Sequence, residues 1–379
     1  MVDAPDLVYL DHAATTPMRP EAVAAMLPFL SERFANPSGS HRFARDARRV
    51  IDEARDVVAA VIGCLPGEVV FTSGGTESDN TAIRGVVGRR GGAAVCTAVE
   101  HHAVLSAVEQ VEQHCIVAVL PDGSVDHDAL ESAMLAQKEP LAVASVIAVN
   151  NEVGTVNEFE VTTEILHRFG DPVIHTDAVQ AACWIDLREL WPHVDMLSLS
   201  GHKFGGPKGI GVLVVRTGVA FDPLLVGGGQ ERERRSGTHN VAGIVAFAEA
   251  LRLTDLERST EVPRLAALRD RLVDSLVEQV GAIETVSRHR KVAGSAHVCF
   301  EGVENEALLY LLDEAGVCAS AASACAAGAM EPSHVLAAMG VPRHVAAGAL
   351  RLTLGRTTTD DDIDRASTAI VGAVRRLRR

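Results

Sequence analysis

Ser200-Gly-His-Lys203-Phe-Gly-Gly-Pro-Lys-Gly-Ile-Gly211 follows directly on the apolar run Val194-Asp-Met-Leu-Ser-Leu199. A short apolar run reads as a buried strand, and a cluster of glycines after it reads as the loop leaving that strand. Lys203 is therefore expected at a strand end, with little side-chain bulk around it. A primary amine held this way suits a Schiff base with a carbonyl compound whose body needs room. A surface loop that merely contains two lysines would look the same locally, so the reading depends on what the other strand ends carry.

Working outward, similar apolar runs occur at Val69–Thr72, Ala94–Thr97, Cys115–Leu120, Leu141–Val149, Val173–Thr176 and Gly211–Val215. Helical patterns lie between most of them, and Ser40–Ile62 and Thr76–Val87 are the clearest. Seven short runs separated by helices imply an α/β domain with a mainly parallel sheet of seven strands. Such sheets bind ligands at the carboxyl ends of their strands. Near residue 255 the pattern changes. Helices at Val262–Val280 and Glu304–Ala315 are mixed with strand-like runs at His297–Phe300 and Leu350–Leu354. The expected division is a large α/β domain over residues 16–254 and a smaller α+β domain formed by residues 1–15 plus 255–379.

The chain of 379 residues is 47% hydrophobic and only 4% aromatic, so its core is expected to be mainly aliphatic. A net charge of -15 argues against broad affinity for nucleic acid or anionic membrane, both of which need a basic face. The basic tail Val374-Arg375-Arg-Leu-Arg-Arg379 reads as a solvated helix end. Seven cysteines are an odd number and form no C-x-x-C pair, so neither a disulfide framework nor a zinc site is suggested. Reduced thiols in the cytoplasm fit best. The first residues hold no basic region followed by an apolar run, so no signal peptide is expected, and no apolar stretch is long enough to span a bilayer.

Four motifs fall at predicted strand ends. Phe71-Thr-Ser-Gly-Gly75-Thr76 leads from a strand through a glycine pair into a helix. A helix N-terminus offers free N–H groups and a positive dipole end to a phosphate, although a plain Ser or Thr cap has the same local form. Val173-Ile-His-Thr-Asp177-Ala-Val-Gln180 ends a buried strand in an aspartate. Such a carboxylate is costly without a cation, and a protonated pyridine nitrogen would serve; a helix-capping aspartate is the plainer alternative. Val149-Asn-Asn151-Glu-Val-Gly154 places amide donors after another apolar run, where a plain turn would also fit. In Val99-Glu-His101-His102 the adjacent imidazoles point different ways, with no acidic or thiol partner at ligand spacing. A single imidazole stacked on an aromatic ring suits them better than a metal. Taken in order, these groups describe a pyridoxal phosphate pocket.

Ala319-Ser-Ala-Ala-Ser-Ala-Cys325-Ala-Ala-Gly-Ala-Met330 is a run of tiny residues with one thiol. Weak packing predicts a mobile loop, and a thiol on such a loop can reach into a pocket and withdraw with cargo. A closely packed small-residue helix is the alternative.

These residues resemble the cysteine desulfurases, in the class V aminotransferase-like branch of the fold-type I pyridoxal phosphate enzymes. The likeness runs from Leu10-Asp-His-Ala-Ala-Thr-Thr-Pro17 and Asn36-Pro37 through Thr76-Glu-Ser-Asp-Asn80, Glu100-His101, Asn150-Asn-Glu152 and Arg235-Ser-Gly-Thr238. It continues to Ser323-Ala-Cys325, Glu331-Pro-Ser-His334 and Leu350-Arg351-Leu-Thr-Leu-Gly-Arg356. The long cysteine segment is similar to the iron–sulfur-cluster and nitrogenase-type group. One departure is Ala322, where the family usually has glycine.

The resemblance implies the PLP-dependent transferase fold type I and assigns the parts. Lys203 would hold pyridoxal 5'-phosphate, Asp177 would pair with its ring nitrogen and His101 would stack on the ring. Asn151 and Gln180 would bond near the phenolic oxygen. Gly75, Thr76, Ser200, Gly201 and His202 would surround the phosphate, joined by Thr238 from the other subunit of a homodimer. Asn36 and Arg351 would bind the carboxylate of L-cysteine. Lys203, His101 and Cys325 would be catalytic, Cys325 taking the sulfur as a persulfide and leaving L-alanine. A protein acceptor would receive that sulfur for iron–sulfur clusters, transfer-RNA thiolation or DNA phosphorothioation. No metal ligand is implied beyond a transient contact of Cys325 with an iron–sulfur cluster. The alternatives are a selenocysteine lyase, a small amino-acid aminotransferase, and a non-catalytic docking protein in a sulfur-handling complex.

Overall fold

A computed structural model describes residues 7–321 and 333–379. Its strands in chain order are β1 (Val8–Tyr9), β2 (Val69–Thr72), β3 (Ala93–Thr97), β4 (His114–Val117), β5 (Leu141–Ser145) and β6 (Val173–Asp177). They continue with β7 (Met196–Ser200), β8 (Gly211–Val215), β9 (Ile283–Glu284), β10 (Ser295–Cys299), β11 (Val317–Cys318) and β12 (Ala349–Thr353).

The seven-stranded sheet runs β2-β8-β7-β6-β5-β3-β4. Only β8 opposes its neighbours, pairing antiparallel with both β2 and β7. The connection from β7 to β8 spans residues 201–210 and holds a single 3-10 turn, too little chain for a helical crossover. The other strands all point one way, so the carboxyl ends of β2, β3, β5, β6 and β7 share one edge.

Central strands are buried on both faces, which is why they read as unbroken apolar runs rather than alternating ones. Phe71, Ala144, Ile174 and Leu197 pack into one core, together with Ile51, Val58 and Ile62 of the helix Arg42–Ile62. Val70, Val143, Val173 and Met196 face the other way, against Ala82, Ile83 and Val86 of the helix Gly75–Arg90. Each fully buried Ile, Leu or Val on these faces contributes about 1.5–3 kcal/mol. The Arg42–Ile62 helix starts where His41 Nδ1 accepts from Ala44 N, and stops at Gly63, whose φ of 81° is left-handed.

Three elements differ from the sequence reading. The run expected over Cys115–Leu120 forms a strand only over His114–Val117. The run expected as one strand from Leu141 to Val149 pairs regularly only to Ser145. Beyond it, Val146 N and Ala148 N still donate to His175 and Asp177 of β6, after which Asn150 Oδ1 closes a turn by accepting from Glu152 N and Val153 N. The helix expected from Val262 instead runs unbroken from Val241 to Val280 and contains the exposed Pro263. Asn240 caps it through Gly243 N. Leu251 belongs to the large-sheet core and Leu265 to a second core with β10 and β12. The polar stretch between them bridges two cores, so it breaks the apolar pattern without ending the helix. We propose the division near residue 255 as one of packing rather than of secondary structure.

The second core gathers around β12-β10-β9 and the pair β1-β11, and it includes Val8 and Leu10. The chain then crosses back to the large sheet through Asp11–Thr16. Among the described residues, no helix is long and apolar enough to cross a membrane.

Candidate active site

The carboxyl edge of the large sheet assembles the candidate groups. Asp177 is the last residue of β6, and Lys203 ends the 3-10 turn that follows β7. His101 caps the helix His102–Glu109 after β3, and Gly74 leads β2 into the helix Gly75–Arg90. Side-chain ligand atoms of Asp79, His101 and Asp177 all lie within 4.8 Å of one another. Lys203 Nζ donates to the carbonyls of Ala13 and Ala14, and Gln180 Nε2 donates to Ala13 O at 2.8 Å. His202 Nδ1 lies 3.1 Å from Thr15 Oγ1, and Thr16 Oγ1 donates to His202 O at 2.8 Å. The segment from the second core is thus laid over Lys203 and Gln180.

Burial pushes the Asp177 carboxyl up, and His101 and Lys203 pull it back. Its Oδ1 accepts one N–H, from Val179 at 2.9 Å. A buried carboxylate with so little compensation favours a cationic ligand. Burial also holds His101 below the usual imidazole range, with Asp177 opposing and Lys203 reinforcing. Its Nδ1 accepts from Ala103 N at 3.1 Å, which leaves the proton of the neutral ring on Nε2. Burial and Lys203 bring His202 down to about 4, so it too is neutral near pH 7.

The entry to the Gly75–Arg90 helix has no side-chain cap. A Cβ on Gly75 would stand 2.7 Å from Val179 Cγ2 and 3.8 Å from Ser200 Cβ, so only glycine lets the helix start this close to the strand ends. Thr76 is exposed beside it, while Glu77 is turned away to Arg235 Nε and Ser73 N. A helix N-terminus stripped of its own cap accepts a phosphate readily. An open helix N-terminus, a buried carboxylate and a primary amine along one edge form the donor set that pyridoxal phosphate requires, and the residues fit it.

Arg351, on β12, points its guanidinium at the same region. Nη2 donates to Asp11 Oδ1 at 2.7 Å and Nη1 to Asn151 O at 3.0 Å, while the buried Nε has no partner. Asn151 therefore meets Arg351 through its backbone carbonyl. Asn36 is exposed, and its Oδ1 accepts from Ser38 N in a local turn that does not join Arg351. Gly201 is held by packing, since a Cβ there would touch Phe247 and Pro207 O at 3.0 Å.

Cys325 and Ala322 lie outside the described residues. Of their described neighbours, Ser320 exchanges backbone hydrogen bonds with Arg351. On the far side, Ser333 Oγ donates to buried Glu152, and His334 Nε2 lies 3.0 Å from Glu100 O. The His334 and His102 rings are 4.6 Å apart. Both flanks of the cysteine segment thus attach to walls of the candidate site.

Thr238 is exposed. Its loop is fixed by Glu231, whose carboxylate accepts from Arg55 Nη1 and Nη2, Phe71 N and His239 Nε2. Glu231, Arg232 and Glu233 have φ of 50°, 58° and 67°, a conformation that L side chains rarely adopt. Although burial pushes the Glu231 carboxyl up, Arg55 and His239 bring it down to about 2. A depressed carboxyl contributes stability that is complete above its unfolded value, about 4.5, and lost as pH falls toward 2. Glu231→Gln is expected to lower unfolding free energy by about 3–5 kcal/mol at pH 7, with the deficit shrinking below pH 4.5. Denaturant melts from pH 7 to 3 measure this, and a deficit independent of pH would contradict it.

Sequence reasoning missed Asp79, His175, Glu100, Asp11 and Glu231. It also missed that the fold supplies carboxyl neighbours to His101, because Asp79 and Asp177 are distant in the chain. The signal for Asp79 was its place one turn after Gly75, on the helix face that carries Ala82, Ile83 and Val86 into the core.

A family model described as Aminotransferase class-V matches residues 8–366. An IscS-like cysteine desulfurase of Mycobacterium tuberculosis is 43% identical over 386 residues, covering 98% of each chain. The solved structure of a NifS-like protein superposes with a TM-score of 0.89 at 34% identity, over 97% of this chain and 99% of that one. A structure of SspA in complex with cysteine gives 0.79 at 31% identity, over 91% and 98%.

Proposed function

Since the chain belongs to the class-V aminotransferase family, we propose that it is a pyridoxal phosphate-dependent cysteine desulfurase, releasing L-alanine and passing sulfur through Cys325 to an acceptor protein. The observation that carries this reading is the convergence of Lys203, Asp177 and His101 beside the uncapped entry of the Gly75–Arg90 helix. Full-length likeness to named cysteine desulfurases selects the reaction within the family.

When bound, pyridoxal phosphate supplies an electron sink that loosens bonds at the amino acid's Cα and Cβ. Lys203 would hold it through its aldehyde, Asp177 would keep the ring nitrogen protonated, and the Gly75–Thr76 turn with Ser200 and His202 would bind the phosphate. Arg351 would grip the substrate carboxylate as a two-pronged donor, which requires Asp11 to yield. The Lys203 amine would also take the Cα proton. His101 Nε2–H would donate a hydrogen bond to the substrate sulfur, which the neutral ring can do near pH 7. The Cys325 thiolate would attack that sulfur, forming an S–S bond as the Cβ–S bond breaks; the electron pair of the broken bond stays with the carbon skeleton that becomes L-alanine, and the sulfur with its proton stays on Cys325 as a persulfide.

The exposed Thr238 and the exposed run Leu224-Leu225-Val226 support a homodimer in which Thr238 completes the partner's phosphate site. Free thiols at all six described cysteines support a reducing compartment such as the cytoplasm. The IscS and NifS names of the relatives support an iron–sulfur scaffold as acceptor.

Assaying alanine and sulfide from L-cysteine after loading with the cofactor tests the reaction, and absence of both would refute it. Arg351→Lys, which keeps the charge and loses the fork, is expected to raise KM about ten-fold or more with a smaller change in kcat. An unchanged KM would remove Arg351 from substrate binding.

A further inference from the structure

Beneath Asp177 lies a polar cluster that the reaction as described does not use. His175 and Asp177 share one face of β6, because they are two residues apart. Ser145 of β5 stands in register with His175, and Ser198 of β7 with Asp177. The helix Gly75–Arg90 covers this face and lowers Asp79 into it, 1% exposed.

Asp79 has no counter-charge there. The nearest basic atom, His175 Nε2, is 3.6 Å from Asp79 Oδ1, beyond hydrogen-bond length, and that oxygen has no hydrogen-bond partner. Both His175 nitrogens already face hydroxyls, Ser145 Oγ at 2.8 Å and Ser198 Oγ at 3.0 Å. Burial keeps that ring neutral, down to about 3. The charged and titratable groups facing the Asp79–Asp177 pair are Glu100, His101, His175 and Lys203, and Lys203 acts on Asp177.

We propose that Asp79 and Asp177 form a carboxyl pair sharing one proton, in which Asp79 is the neutral acid and Asp177 the single anion. Two carboxylates within 4.8 Å in a dry interior repel strongly, and one takes a proton. The charge goes to Asp177, which accepts from Val179 N and is favoured as an anion by His101 and Lys203. Burial and the Asp177 charge push Asp79 the other way, and the Ser198 hydroxyl offsets them only in part. The consequence is that the negative charge is focused on the residue that meets the cofactor's ring nitrogen. This role rests on the proposed cofactor site, but the protonation state does not.

Infrared difference spectra of the cofactor-free protein at pH 7–8, parent minus Asp79→Asn, are expected to contain a buried carboxylic C=O stretch. Parent minus Glu100→Gln identifies any second such band. Absence of a band assigned to Asp79 would mean that it is ionised, paired with a protonated His175, and would overturn the proposal. In the loaded protein, the pH midpoint of the visible cofactor band is expected to match the parent in Asp79→Asn, whereas Asp177→Asn shifts it. A fall of about one pH unit in Asp79→Asn would show a lost charge and also overturn the proposal. The infrared result stands even if the chain binds no pyridoxal phosphate, so the two failures are distinguishable.

Discussion

Lys203→Ala is expected to lower alanine formation from L-cysteine by about 10³-fold or more. The amine has two duties in the proposed reaction: it anchors the cofactor and it moves the Cα proton. Its setting supports both. It lies at the end of the turn after β7, it is held by the carbonyls of Ala13 and Ala14, and it is near enough to Asp177 and His101 to influence both. An alanine leaves the helix entry at Gly75 and the Asp177 carboxylate in place, so pyridoxal phosphate should still enter. It should then show the absorbance of a free aldehyde and wash out on gel filtration. Retention of a covalently held visible band, or turnover within ten-fold of the parent, would assign the anchoring amine elsewhere.

Cys325→Ser should leave the cofactor spectrum intact and still reduce alanine release from cysteine by about 10³-fold or more, because a hydroxyl is a far weaker nucleophile than a thiolate at neutral pH. The two substitutions divide the reaction. Lys203→Ala removes the anchoring of the cofactor and the Cα proton transfer, whereas Cys325→Ser removes only the transfer of sulfur. A colour change on adding L-cysteine is expected in Cys325→Ser as in the parent. An aminotransferase would keep its turnover in Cys325→Ser, and that outcome would move the assignment to another reaction of the same family.

The large sheet was legible because its central strands are covered on both faces. Val69–Thr72 and Gly211–Val215 match β2 and β8 at both ends, Val173–Thr176 stops one residue short of β6, and the run ending at Leu199 stops one residue short of β7. The residues at strand ends were legible for a related reason, since a charged or glycine-rich stop after an apolar run has few structural uses. The Val241–Val280 helix was not legible in full. Its middle touches neither core, so its polar stretch resembles a linker, and Pro263 strengthens that impression. The buried acids were hidden differently. Asp79 sits in the polar run Thr76-Glu-Ser-Asp-Asn80, in which the helix buries Ser78 and Asp79, and sequence alone does not reveal that Asp79 meets Asp177. The run Leu10-Asp-His gives Asp11 no role of its own until the fold brings it across to Arg351. Contacts between distant segments leave no local trace in hydrophobic periodicity.

The most direct measurement is a single turnover. Protein loaded with pyridoxal phosphate is mixed with one equivalent of L-cysteine without reductant, quenched, and digested for mass spectrometry while free alanine is counted. The account predicts one alanine per site and one added sulfur atom on the peptide that carries Cys325. Alanine formed with that peptide unmodified, or sulfur found on a different cysteine, would contradict it.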